Sequence, residues 1–198
     1  MNELVPDNRN KLAFVIGRVF HPYIICLPTM FAVLSDLSAE AALRWGLLVI
    51  VMVLTPGMAL AAYVQGRGHP LYEREVRTPL YVVGWCSVLA CIGALLALGG
   101  PHVLVNALVT LAVWAPMQLL INAFVTKVSA HAAIAAGCAM GLWLLGKLDT
   151  LALKLLVGGV VLLIMWARVM TRNHTVRQVV LGAAVGALPP LLVFSLLR

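Results

Sequence analysis

Charge is scarce in this sequence: 11% of its 198 residues are charged, against 63% hydrophobic. A water-soluble domain needs far more polar surface to cover itself, so the balance argues against a soluble protein and for solvation by a bilayer. A mean hydropathy of +1.02 says the same. Acidic residues are the scarcer kind, seven against fourteen basic ones, for a net charge of +7. A nucleic-acid partner does not follow, because the basic residues are scattered through short connectors between apolar runs. No soluble basic face remains on which a duplex could lie. Cysteine is sparse, and Cys26, Cys86, Cys91 and Cys138 each fall inside an apolar run. That placement fits small buried hydrophobes, not a disulfide framework or a metal site. The first residues, MNELVPDNRNK, are acidic and polar, unlike the start of a cleavable signal peptide.

What the sequence has in plenty is apolar runs of spanning length. A helix needs roughly 20 mostly apolar residues to cross a hydrocarbon core about 30 Å thick. By that measure the expected fold is all-α, a polytopic transmembrane bundle of six to seven spans forming one integral membrane domain over 1–198. The spans run from about Leu12 to Leu34, with a kink expected at Pro28, and from about Ala41 to Tyr63. Next come Pro79 to about Leu98 and His102 to about Ile121, joined by Gly99-Gly100-Pro101. The last three are Ser129 to about Leu145, Asp149 to about Ala167, and Val176 to the end. The core of the domain is about 65–198, preceded by two spans over about 12–63. Gly137/Gly141 and Gly182/Gly186 sit one turn apart in helices that follow polar segments, a spacing that lets helices approach closely. A homo-oligomer is compatible with such a bundle.

Span parity puts the N-terminus and the polar stretches Gln65–Thr78, Asn122–His131 and Arg168–Arg177 on one face. Ten of the fourteen Lys and Arg residues lie there. The positive-inside rule would place that face in the cytoplasm of a bacterial inner membrane. If half of those charges bind substrate, however, the remaining vote is nearly balanced.

These stretches also hold the candidate chemistry. Arg67, Arg74 and Arg77 precede the third span. Lys127, Ser129 and His131 open the fifth, and Arg168, His174 and Gln178 bridge the sixth and the last. Arginine presents a planar fork that matches phosphate oxygens bidentately, and lysine adds a point charge. Ser129 sits at a helix start, where unpaired N–H groups and the positive dipole end favour an anion. Two histidines supply a nucleophile and a general acid. Gln178 lies one turn past His174, so its amide oxygen could accept from one ring nitrogen and aim the other.

Here the sequence resembles the type 2 phosphatidic acid phosphatase superfamily, over about Arg67 to Gly182. That family carries Lys-x6-Arg-Pro, then Pro-Ser-Gly-His, then Ser-Arg-x5-His-x3-Asp. The third motif matches best: Arg168, five residues, His174, three residues, Gln178, followed by Val-Val-Leu-Gly. In the second, Val128-Ser129-Ala130-His131 keeps the serine and the histidine. In the first, Arg67 and Arg74 keep the six-residue gap, with Arg for Lys and Glu75 for Pro. The resemblance implies a divergent bacterial-type membrane phosphatase acting on a phosphomonoester or diphosphate of a lipid or polyprenyl chain. His174 would attack phosphorus and His131 would protonate the leaving oxygen. Arg168, Ser129, Arg74 and Arg67 would hold phosphate, helped by Lys127 and Arg77, with no metal or cofactor. Gln178 in place of aspartate could orient His174 but not stabilise its imidazolium.

Two other functions fit the same segments: a lipid phosphotransferase using the same phosphohistidine, and a non-catalytic lipid-binding or transport protein. Basic and histidine side chains beside a span are ordinarily interfacial. Arg172 and Arg177 read as topology charges, and His21, His69 and His102 as interfacial residues. His21 and Arg18 nonetheless sit deep enough in the first span to face a polar cavity.

Overall fold

A computed structural model describes residues 8–68 and 74–196, without the side chains of 8–10 and 74–78. Every element among these residues is helical: α1 (Asn8–Val19), α2 (Pro22–Val33), α3 (Ala39–Val49), a π-helical turn (Ile50–Leu54), α4 (Thr55–Gly66), α5 (Arg74–Ala97), α6 (His102–Phe124), α7 (Ala130–Leu144), α8 (Leu151–Met170) and α9 (Val176–Leu196). The all-α expectation holds. The helix from Ala39 to Gly66 and helices α5, α6, α8 and α9 are long and apolar enough to cross a membrane, with mean hydropathy of 1.8 to 2.3. This is compatible with an integral membrane protein.

The span inventory differs from the sequence reading in two places. The first span is a bent pair, Lys11–Val19 and Pro22–Val33, at 45° to each other. The break lies at His21-Pro22 and not at Pro28, which stays inside α2. Pro22 cannot donate to the preceding turn, and it pushes the residue before it out of the helical region. His21 accordingly sits extended at φ −64°, ψ 142°. The fifth span is the other exception. α7 has 15 residues, about 22 Å of helix and too short to cross a core about 30 Å thick, because Ser129 caps one end and a left-handed Gly146 (φ 71°) follows the other. Five helices therefore pass by length, or six with the bent pair.

Two packing regions position the rest. At one end of the bundle, Leu34, Trp45, Val53, Cys91, Leu95 and Leu104 form an apolar core between α2, α3, the π turn, α5 and α6. Beside it α7 lies among α2, α8 and α9, and α1 lies along α8 through Ala13, Ile16 and Ala167. α7 and α9 approach closely for a backbone reason. A Cβ on Gly186 would collide with the Ala133 carbonyl, and one on Gly137 would stand 2.8 Å from the Gly186 carbonyl oxygen. The small-residue pairs thus serve helix packing, as their spacing suggests.

Candidate functional site

His131, Arg168 and His174 come together at the start of α7 and the end of α8. Local sequence explains how. Asn122 Oδ1 on α6 accepts from Val128 N–H at 2.7 Å, and Gln118 Nε2, fully buried, donates to the Val128 carbonyl at 3.2 Å. Ser129 N–H then donates to the Gln178 carbonyl of α9 at 3.3 Å. These bonds end α6, cross a short connector and start α7 beside α9. The Ser129 side chain caps α7 by accepting from Ala132 N–H at 3.4 Å. With Ser129 fully buried, its hydroxyl serves α7 and its neighbours before any ligand.

The Arg168–His174 spacing has its own cause. After Met170 the chain reverses through Arg172, which adopts φ 55°, a left-handed conformation that ends helices. Thr171 Oγ1 donates to the Ala167 carbonyl at 2.9 Å, and Asn173 Nδ2 donates to Thr171 Oγ1 at 2.7 Å. The reversal carries His174 back until its N–H donates to the Arg168 carbonyl at 3.2 Å.

Arg168 is the electrostatic centre. Its charge acts on both His131 and His21, and His174 also lies within electrostatic reach of His131. Its Nε is buried and has no hydrogen-bond partner among the described residues. A buried donor of a charged group left unpaired is costly, and an anion carrying several acceptor oxygens would satisfy it. Gly17 of α1 leaves room for this guanidinium: a Cβ there would lie 3.6 Å from Nη1. The His131 ring lies within electrostatic reach of the backbone of the same glycine.

Gln178 takes a part that the sequence reading missed. Thr175 N–H donates to Gln178 Oε1 at 3.1 Å, and Gln178 N–H donates to Thr175 Oγ1 at 3.4 Å. This is a reciprocal capping box at the start of α9, legible in Thr-x-x-Gln. Its Nε2 donates onward to Thr126 Oγ1 at 3.3 Å. The amide therefore braces the α6–α7 connector against α9.

The basic residues ahead of α5 divide differently. Arg67 is exposed and stacks on Tyr63 of its own helix, with its guanidinium carbon 5.0 Å from the ring centroid. Gly57, the α4 residue that abuts Tyr23 beside His21, lies ten positions earlier, about 15 Å along the helix axis. The structure does not bring Arg67 into the cluster. Arg74 and Arg77 open α5, and their side chains lie outside the described residues. Lys127 is half-buried on the connector before Ser129.

One residue that the sequence reading gave to the interface, though deep enough in its span to face a polar cavity, joins the cluster. His21, at the α1–α2 break, sets its ring perpendicular to that of His131, with centroids 5.4 Å apart. A histidine followed by proline within an apolar run was the available signal. Below His131, an apolar cavity of about 120 Å³ runs along α7 past Ile134, Cys138 and Leu142, with Met30, Leu108 and Pro190 opposite. The three α7 residues share the helix face of His131. No group of three His, Cys, Asp or Glu side chains among the described residues is placed to hold a metal ion. The chain matches no family model, no curated protein and no solved structure.

Proposed function

We propose that the protein is a membrane phosphohydrolase that removes phosphate from a phosphorylated lipid or polyprenyl chain through a phosphohistidine on His174. The observation that carries this reading is the half-buried Arg168, with a buried and unpaired Nε, beside two imidazoles at one end of an apolar bundle.

Each residue then has a step. Arg168 and the first amides of α7 hold the phosphoryl oxygens and offset charge as it builds in the transition state. A ring nitrogen of His174 attacks phosphorus, forming an N–P bond as the P–O bond to the lipid breaks. His131 gives its proton to the departing oxygen, so the lipid leaves as an alcohol, or as a monophosphate when the substrate is a diphosphate. Water then attacks the phosphohistidine and His131 takes its proton. The N–P bond breaks, and inorganic phosphate is released.

Two features support a lipid substrate. The first is depth. Gln118, level with the α7 start, lies about 24 Å along α6 from His102, and Arg168 about 25 Å along α8 from Leu151. In a core about 30 Å thick, the cluster stands close to one boundary, at headgroup level. The second is the cavity below His131, which offers an apolar space for a chain whose phosphate rests on Arg168.

The broken span at His21 favours a second reading, lipid transport, because transporters build their sites on interrupted helices. Such sites sit near the bilayer midplane, whereas this cluster is near a boundary. Phosphate release from phosphatidic acid and from polyprenyl diphosphates decides between them. The hydrolase reading expects turnover by the wild type, none by His174→Ala, and an acid-labile phosphoprotein during turnover. Unchanged turnover by His174→Ala would falsify the mechanism, and lipid binding that survives loss of both histidines with no phosphate release would favour transport.

A further inference from the structure

The α1–α2 break places an imidazole where a 45° bend alone would not need one. His21 caps α2 without any side-chain hydrogen bond to that helix, so its ring is not there for the cap. It is held from behind by Tyr23, whose ring centroid lies 5.3 Å away at an interplanar angle of 35°. Tyr23 is itself wedged against α4, where a Cβ on Gly57 would stand 2.7 Å from the Tyr23 hydroxyl oxygen. On its other side His21 meets His131 at 5.4 Å and 85°. α4, Tyr23, His21 and His131 form one line of contact.

His131 is the second residue of α7, at a helix end where a side chain has few neighbours of its own helix to hold it. Two neighbours from the broken span replace them: the Gly17 backbone, within electrostatic reach of the ring, and the perpendicular ring of His21. The second bears directly on the orientation of the ring plane. Neither neighbour occupies the Arg168 Nε, which stays available to an anion.

We propose that His21 is a positioning residue for His131, and that the N-terminal broken span is a wall of the site through this ring and Gly17. The inference rests on the reading of His131 as the general acid. It asks His21 for an aromatic face, not for a proton.

The test uses the full chain in mixed micelles with short-chain phosphatidic acid, comparing wild type, His21→Ala and His21→Phe. A perpendicular ring pair is a modest interaction, so His21→Ala should lower kcat about threefold to tenfold with KM unchanged. His21→Phe keeps the ring and cannot carry a proton, and it should restore kcat to within about twofold of wild type. Equal impairment of both variants, or normal kcat in His21→Ala, overturns the proposal. A second measurement does not depend on turnover: the rate of carbethoxylation of His131 by diethyl pyrocarbonate, read by mass spectrometry. It should rise in His21→Ala and stay at the wild-type value in His21→Phe. An identical rate in all three proteins overturns the proposal. If the wild type releases no phosphate from any lipid, the hydrolase reading fails, and the carbethoxylation rates still decide the role of His21.

Discussion

Replacing Gly186 with alanine tests whether backbone contact between α7 and α9 holds both the bundle and the site. The added methyl would collide with the Ala133 carbonyl, which belongs to a helix and cannot rotate away. The neighbouring contact has no slack to absorb a shift. At Gly137 a Cβ would already be 2.8 Å from the Gly186 carbonyl oxygen, at least 0.6 Å inside the 3.4 Å of ordinary contact. The helices must separate, and overpacking of this kind costs about 1–3 kcal/mol. The upper end is expected because backbone meets backbone. Separation would also stretch the 3.3 Å bond from Ser129 N–H to the Gln178 carbonyl, which seats the start of α7 and with it His131. Gly158→Ala is the control. Gly158 is exposed, its Cβ would meet nothing within 4 Å, and alanine is the better helix former by about 1 kcal/mol. Unfolding in mixed micelles should show Gly186→Ala destabilised by at least about 2 kcal/mol and Gly158→Ala unchanged or slightly stabilised. Phosphate release should fall only in the first. If Gly186→Ala unfolds no earlier than Gly158→Ala, the close backbone approach is not what holds these helices together.

Three further substitutions separate roles within the site. Gln178→Ala removes the capping box and the bond to Thr126, so it should cost about 1 kcal/mol in an unfolding titration. Its phosphate release should fall less than tenfold, whereas a loss of orders of magnitude would restore a direct role on His174. Arg67→Ala should leave phosphate release within about twofold of wild type, given an axial offset of about 15 Å from the level of His21; a large rise in KM would show that the segment folds over the site. Arg172→Gly should stabilise the protein by about 1 kcal/mol, since glycine adopts φ 55° without the Cβ penalty, and unchanged or lower stability would argue against that accounting.

Much of the architecture was readable before any coordinate. Hydropathy located the helices because, without water to bond the backbone, a spanning segment must be helical and apolar throughout. It placed α7 to within a residue at each end but counted it as a span, although a helix ended by a serine cap and a glycine turn after 15 residues is too short for one. It also chose the wrong proline. Pro28 and Pro22 both interrupt hydrogen bonding, and only the packing of α1 on α8 and of α2 on α7 decides which interruption becomes the bend.

For the site, the sequence by itself determined the turn from Arg168 to His174, because that reversal is local and its spacing survives in one dimension. It also determined that α7 and α9 could approach closely, through glycines at helical spacing. The tertiary structure decided everything that depends on which helix lies beside which. It set His21 against His131 across 110 positions of chain. It turned the Gln178 amide to its own helix start and to Thr126, and it left Arg67 stacked on Tyr63. The reason is physical. Local hydrogen bonds and hydropathy are written in neighbouring residues, whereas the neighbours of a side chain inside a bundle are fixed only when the helices have packed.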